Sequence, residues 1–246
     1  EAVEAQPIVV GSKTFTEQYI LAQLIQRQLE QTGITAREKE SLGSTVVFDG
    51  LVHDEVDCYV DYSGTIWANH MQREGSAPPW QVLAEVAGWL AREHGVRMLG
   101  TLGFDNAYVL AMRREQAEKL EIRAIPDLVR HAPELKIGGD YEFFARPEWQ
   151  ALKETYHLEF ADRITYDSTF MYESVAQGKV DVIAAFSSDG RLRAYDLVTL
   201  SDPRHVIPPY DAILLLSPAT AERPEVLEAL SPLVGAIDVE TMRRAN

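Results

Sequence analysis

PIVVGSKTFTEQYILAQLIQRQLEQTGITAREKESLG, residues 7–43, alternates a short apolar run, an amphipathic stretch and a second run. Ile8 to Val10 form the first run. Gly11 and Ser12 then turn the chain into a stretch whose apolar positions include Ile20, Leu21, Leu24, Ile25 and Leu29. That spacing is helical. Thr14 with Glu17 fits a capping box at its start, and Gly33 fits its stop. A further run spans Ile34 to Glu38. This β-α-β opening predicts an open α/β sheet whose first loop lies at the carboxyl end of strand one, the edge where such sheets place ligands.

The pattern continues outward. In TVVFDGLVHDEVDCYVDYSGTIWANHM we expect a helix near Val46 to His53, a strand near Val56 to Val60, a turn at Ser63-Gly64 and a helix from Thr65. SAPPW reads as a loop before a helix from Val82 to Glu93, and Thr101 to Gly103 lead into NAYVLAM, a run able to carry the chain into a second lobe. Beyond position 112 the alternation restarts. Helices are expected at Arg114 to Leu120, Pro126 to Ala132, Glu148 to Thr155 and Thr169 to Gln177, and strands at KIGG, RITYDS and VDVIAAF. DLVTLSDPRHVIPPYDAILLL holds two more runs, the second returning over a Pro-Pro step, and tail helices at Ala221 to Leu230 and Val239 to Arg244 complete the first lobe. The expected plan is two α/β lobes, residues 1–104 with 210–246 and residues 105–209, joined by two crossings. A single doubly wound domain has the same local alternation.

Composition narrows the function. The 246 residues are enough for two modest cores, and 46% hydrophobic with 25% charged residues is ordinary for a globular chain. No run approaches the roughly 20 apolar residues of a membrane span. A net charge of −15, from 38 acidic and 23 basic residues, opposes nucleic-acid binding. Cys58 is the single cysteine, so an intramolecular disulfide is impossible, and it reads as a small buried hydrophobe. The terminus EAVEAQPIVV lacks a basic region followed by an apolar one, as a mature or trimmed chain would. The histidines are scattered, and there is no H-E-x-x-H, no P-loop spacing and no G-x-S-x-G. We expect no metal, no cofactor and no catalysis.

What remains is a set of aromatic residues where strands are expected to end: Tyr62 in DYSGT, Tyr108 in GFDNAYVLAM, Phe186 in AAFSSDG and Tyr210 in PPYDAILLL. Ring faces attract an organic cation that has no N–H to donate, at about 0.5–2 kcal/mol per contact. Lys13 in GSKTFTE and Arg146 in YEFFARPE can grip a carboxylate, and Thr65 can add a hydroxyl or cap a helix. Taken singly, each is as readily a core ring or a solvated charge. Together they suit a two-lobed receptor for a small zwitterion.

The stretches GSKTFTEQYILAQLI, LGSTVVFDGLVHDEVDCYVDYSGT, GFDNAYVLAM, AAFSSDGRLRAYDLVTLSDPRHVIPPYDA and PEVLEALSPLVGAIDVETMRRAN resemble substrate-binding proteins of ABC transporters for glycine betaine, choline and related osmoprotectants. The resemblance implies a type II periplasmic-binding-protein clamshell in which each lobe is a βα sheet flanked by helices. It implies an aromatic box at Tyr62, Tyr108, Phe186 and Tyr210, with Lys13, Thr65 and Arg146 on the carboxylate and a backbone carbonyl near Asn106 against the methylammonium group. It further implies a membrane-embedded ABC permease as partner, a monomer, and a periplasmic or extracytoplasmic site of action, with tethering through a removed N-terminal segment compatible. Two departures bear on the ligand: DYSGT stands where EYTGT is more usual, and Phe186 where tyrosine is common. The chain also stops after MRRAN, where many relatives continue through a further helical stretch. Alternatives are the same fold binding an amino acid or another small zwitterion, a sensor domain, and an α/β transferase or hydrolase.

Overall fold

The computed structural model describes residues 6–75 and 77–246; residues 1–5, part of the terminal EAVEAQPIVV stretch, and Ser76 of the SAPPW loop lie outside the described residues. The described residues form two compact units. The first holds the chain up to Glu74, Pro79–Asp105 and Tyr210–Asn246; the second holds the described part of Gly75–Pro78 together with Asn106–Pro209.

In chain order the first unit begins β1 (Ile8–Gly11), α1 (Thr16–Gln31), β2 (Ala36–Lys39), α2 (Ser44–Val52), β3 (Cys58–Tyr62) and α3 (Ser63–Thr65), and continues with α4 (Pro79–His94) and β4 (Arg97–Asp105). The second unit follows as β5 (Tyr108–Arg113), α5 (Arg114–Lys119), α6 (Ile125–Leu128), β6 (Lys136–Gly139), α7 (Pro147–Tyr156), β7 (Asp162–Thr165), α8 (Ser168–Ala176), β8 (Val182–Phe186), α9 (Arg191–Ala194) and β9 (Leu197–Thr199). The chain then returns to the first unit with β10 (Asp211–Leu216), α10 (Pro218–Ala221), α11 (Pro224–Leu230) and α12 (Val239–Ala245).

Each unit has a five-stranded sheet, ordered β2-β1-β3-β10-β4 in the first and β7-β6-β8-β5-β9 in the second. β1 pairs parallel with β2 and β3, and β6 pairs parallel with β7 and β8. The antiparallel intruder in each sheet is the strand entered straight after a crossing, β10 against β3 and β4, and β5 against β8 and β9. Strands covered on both faces read as continuous apolar runs, which is why IVV, VIAAF and AILLL stand out. One face of the first sheet packs on α1 through Ile8, Val10, Leu21, Ile25, Leu29, Val60 and Leu214. The second packs on α8 through Met171, Tyr172, Val175, Ile183 and Ala185. This is the two-lobed type II architecture.

Several local expectations are corrected. The Thr14–Glu17 capping box does not form: α1 opens at Phe15 in extended conformation with no side-chain cap, and Glu17 is drawn instead to a partner on β3. Ser63-Gly64 is no turn but the start of α3, which passes into a π-helical turn at Ile66–His70. β3 runs two residues later than expected, so Asp61 and Tyr62 lie within the sheet, Tyr62 opposite Ala212. The lead-in at Thr101 to Gly103 lies inside a nine-residue strand, β4, which ends at Asp105. Its glycines break the apolar alternation, and its conformation is decided by the tail, whose Gly235 and Ile237 amides donate to the carbonyls of Thr101 and Leu102. The helix expected over Pro126 to Ala132 is shorter: α6 ends at Leu128 and a 3-10 turn follows at Ala132–Glu134. The helix expected over Ala221 to Leu230 is split, because Pro224 has no amide to continue it and starts α11.

Candidate functional site

In the first unit the site residues gather at the carboxyl ends of β1 and β3. α1 buries Gln18, Leu21, Ala22, Ile25 and Leu29 along one stripe, with Glu17 beside its first turn. Gln18 thereby sits where an apolar residue would be expected and works as a brace. Its Oε1 accepts the Lys13 amide at 3.1 Å, and its Nε2 donates to the Val60 carbonyl at 3.0 Å and the Tyr62 hydroxyl at 3.2 Å. Lys13 is only 7% exposed, and its Nζ stands 2.6 Å from Asp61 Oδ1. Asp61 is fully buried and also accepts the Tyr62 amide at 2.7 Å and the Tyr59 hydroxyl at 2.5 Å. Such saturation is what a buried ion pair requires to offset desolvation. Burial first, then the Asp61 charge, push the Tyr59 phenol well above its ordinary range, which keeps it a donor.

Tyr62 is 4% exposed; Lys13 Nζ lies 5.6 Å from its ring centroid, and the half-exposed Phe15 ring stacks on it at 6.2 Å. Its hydroxyl donates to Glu17 Oε1 at 2.5 Å, and Glu17 Oε2 accepts the Asn246 side-chain amide at 2.9 Å. Thr65 is half-buried in α3. Tyr210, half-buried, precedes β10 and packs against the core of its own unit.

In the second unit Tyr108 opens β5 and faces Phe186, the last residue of β8, in register. Their centroids are 4.7 Å apart at 32°, and Phe143 closes on Tyr108 at 5.1 Å. The Arg146 guanidinium lies over the Tyr108 ring, 5.2 Å from its centroid. Arg146 also pairs with Glu148 at 3.2 Å and Glu142 at 3.5 Å. The Tyr108 hydroxyl donates to Asp140 Oδ2 at 3.2 Å, while Asp140 Oδ1 accepts the amides of Glu142 and Phe143 at 3.0 and 2.8 Å. Burial first and Asp140 second push the Tyr108 phenol well up. Beneath them Ser187 ties the strands, its amide and hydroxyl bonding the Ala107 carbonyl and amide, each at 2.9 Å. Asn106 is half-buried in the short connection before β5.

The structure thus joins Lys13 with Tyr62 in one unit, and Tyr108, Phe186 and Arg146 in the other. Glu17, Gln18 and Asp140 are not among the site residues expected from the sequence, where Glu17 stands only in a capping box. A signal for the first two was present, since both fall on or beside the helical stripe that is otherwise apolar. Asp140 offered none, because its partner lies 32 positions away. Among the described residues no group of histidine, cysteine and carboxylate side chains could hold a metal ion.

The chain matches the family model described as the substrate binding domain of ABC-type glycine betaine transport system, OpuAC, over residues 6–246. It is 29% identical over 251 residues to a Helicobacter pylori protein named ergothioneine transport permease/ergothioneine binding protein EgtU; the match covers all of this chain but 45% of that protein, so the chain spans under half the length of that relative. It is 27% identical to the carnitine transport binding protein OpuCC of Listeria monocytogenes, with 97% of this chain and 80% of that one covered. A crystal structure described as a glycine betaine/carnitine/choline ABC transporter shares the fold at a TM-score of 0.92 and 23% identity, over 96% of this chain and 90% of the other. The family match places the chain among substrate-binding domains of ABC-type transport systems, and the solved structure shows the same fold. It belongs to the OpuAC family, the substrate-binding domains of ABC-type glycine betaine transport systems.

Proposed function

We propose that this chain captures a quaternary-ammonium zwitterion, glycine betaine or a similar betaine, and delivers it to a membrane-embedded ABC permease, acting as a monomer. The observation that carries the reading is that a ring in each unit holds a cation of the chain's own: Lys13 by Tyr62, Arg146 over Tyr108. Ring faces that hold a guanidinium or ammonium suit a trimethylammonium group, which has no N–H to leave unsatisfied. In this reading Tyr62, Tyr108, Phe186 and Tyr210 meet the methyl groups, and the Asn106 carbonyl lies near them. Lys13, Arg146 and Thr65 meet the carboxylate. One Lys13 proton is committed to Asp61, and the ammonium carries two more. Fixed cations beside the rings also disfavour a ligand with positive charge alone, so a betaine should outbind choline.

The names of the relatives widen the class: one is named for ergothioneine and another for carnitine. Both compounds carry a trimethylammonium and a carboxylate. Calorimetric titration of ligand-free protein with glycine betaine, carnitine, ergothioneine, choline and glycine tests the reading. One-to-one binding of a methylated zwitterion, with choline weaker and glycine silent, is expected. Silence toward every methylated compound, or preference for glycine, would sink it. Arg146→Gln should weaken the betaine more than choline.

A further inference from the structure

Two of the three tyrosines assigned to the cation, Tyr62 and Tyr108, point their hydroxyl protons at a carboxylate. In the first unit Tyr62 donates to Glu17 at 2.5 Å, and Gln18 donates to the same hydroxyl oxygen at 3.2 Å. The phenolic proton is therefore directed onto Glu17. Glu17 is 4% exposed, and its second oxygen is held by Asn246 at 2.9 Å. In the second unit Tyr108 donates to Asp140 at 3.2 Å, and two backbone amides fix that carboxylate.

These carboxylates are an expensive way to hold a ring. Glu17 lies beside the buried stripe of α1, where an apolar residue could pack without the desolvation that a buried carboxylate incurs. A phenol that donates to a carboxylate gains electron density in its ring, and the carboxylate adds negative potential behind the face. Both effects strengthen attraction for a full positive charge and do nothing for a neutral group of the same shape. We infer that Glu17 and Asp140 are positioning residues that set selectivity for a cationic over a neutral ligand, each acting through the tyrosine it accepts from. This rests on the betaine-binding reading above.

The test compares glycine betaine with 3,3-dimethylbutanoate, its neutral-headed isostere in which carbon replaces the ammonium nitrogen. Affinities are measured by calorimetry, or by competition for the weaker ligand, in wild type, Glu17→Gln and Asp140→Asn. Each variant should lose about 3- to 10-fold in betaine affinity, the scale of one cation–π contact, and keep its affinity for the isostere. In a Tyr108→Phe background Asp140→Asn should have a clearly smaller effect on betaine, because the hydroxyl through which most of it acts is gone. Equal losses for both ligands, or an undiminished effect in the Phe background, would show a purely structural role and overturn the inference. Asp140 is half-buried at a strand end, so its variant reports even if Glu17→Gln fails to fold. Wild type that binds no betaine removes the underlying reading, and the inference falls with it. Wild type that binds betaine while both variants retain the preference removes the inference alone.

Discussion

Asp211 is a side chain whose environment works against its charge. It opens β10 opposite Asp105, and its Oδ2 is buried without a hydrogen-bond partner among the described residues. Burial first, then the Asp105 charge, raise its carboxyl above the ordinary range. The sign follows from linkage: the folded state holds this proton more tightly than the unfolded chain. Stability from this group is therefore present at low pH and is lost as pH climbs through the ordinary carboxylate value, about 4, toward the raised one. Asp211→Asn should accordingly raise the melting temperature at pH 7 by about 2–4 °C, the change that one kcal/mol produces in a chain of this size, and give no gain at pH 3. Melting scans at the two pH values decide it, and an equal shift at both would dismiss the titration argument. Nothing in PPYDAILLL signals this, because the neighbouring carboxylate is more than 100 positions away in sequence. Cys58 is the opposite case. Its apolar neighbours marked it as a small buried residue, and it is fully buried with its thiol pushed well up.

At the scale of elements, the legible ones were those whose period is local. α1, α4, α7 and α8, and the apolar strands β1, β8 and β10, all follow from spacing within a few turns or a few residues. β4 is not legible as a strand because its pattern is broken by Gly100 and Gly103, and a Cβ at either would meet the tail at Val234 or Ile237. Gly103 has φ +118, and a Cβ there would stand 2.7 Å from the Ile237 carbonyl oxygen. Gly103→Ala should lower stability by about 1–3 kcal/mol, since the strained backbone and the contact with main chain both oppose it. Denaturant unfolding checks the value, and a loss below a few tenths would mean that the tail shifts freely. The failed capping box teaches the same lesson from the other side. Thr14 and Glu17 have the right spacing, but Tyr62 on β3 offers Glu17 a short charge-assisted bond and takes it from the local motif.

For the whole molecule, the net charge of −15 sets a condition that individual contacts do not. Self-repulsion opposes the compact state and is screened over about 10 Å at 0.1 M salt. Exposed pairs such as Arg114–Asp196, 49% and 72% exposed, contribute little that salt can remove. Raising sodium chloride from about 10 to about 150 mM should therefore raise the melting temperature of ligand-free protein. A flat or falling response would mean that favourable ion pairs outweigh the repulsion. The sequence by itself determined the α/β alternation, the absence of the motifs of common enzymes, and the identity of the rings and basic residues on offer, because period, composition and residue chemistry are local properties. Only the tertiary structure decided which carboxylates stand behind Tyr62 and Tyr108, that Lys13 is tied to Asp61, and that β4 runs its full length. Each of those depends on groups brought together from 32 to more than 130 positions apart, where no spacing rule reaches and packing alone selects the partner.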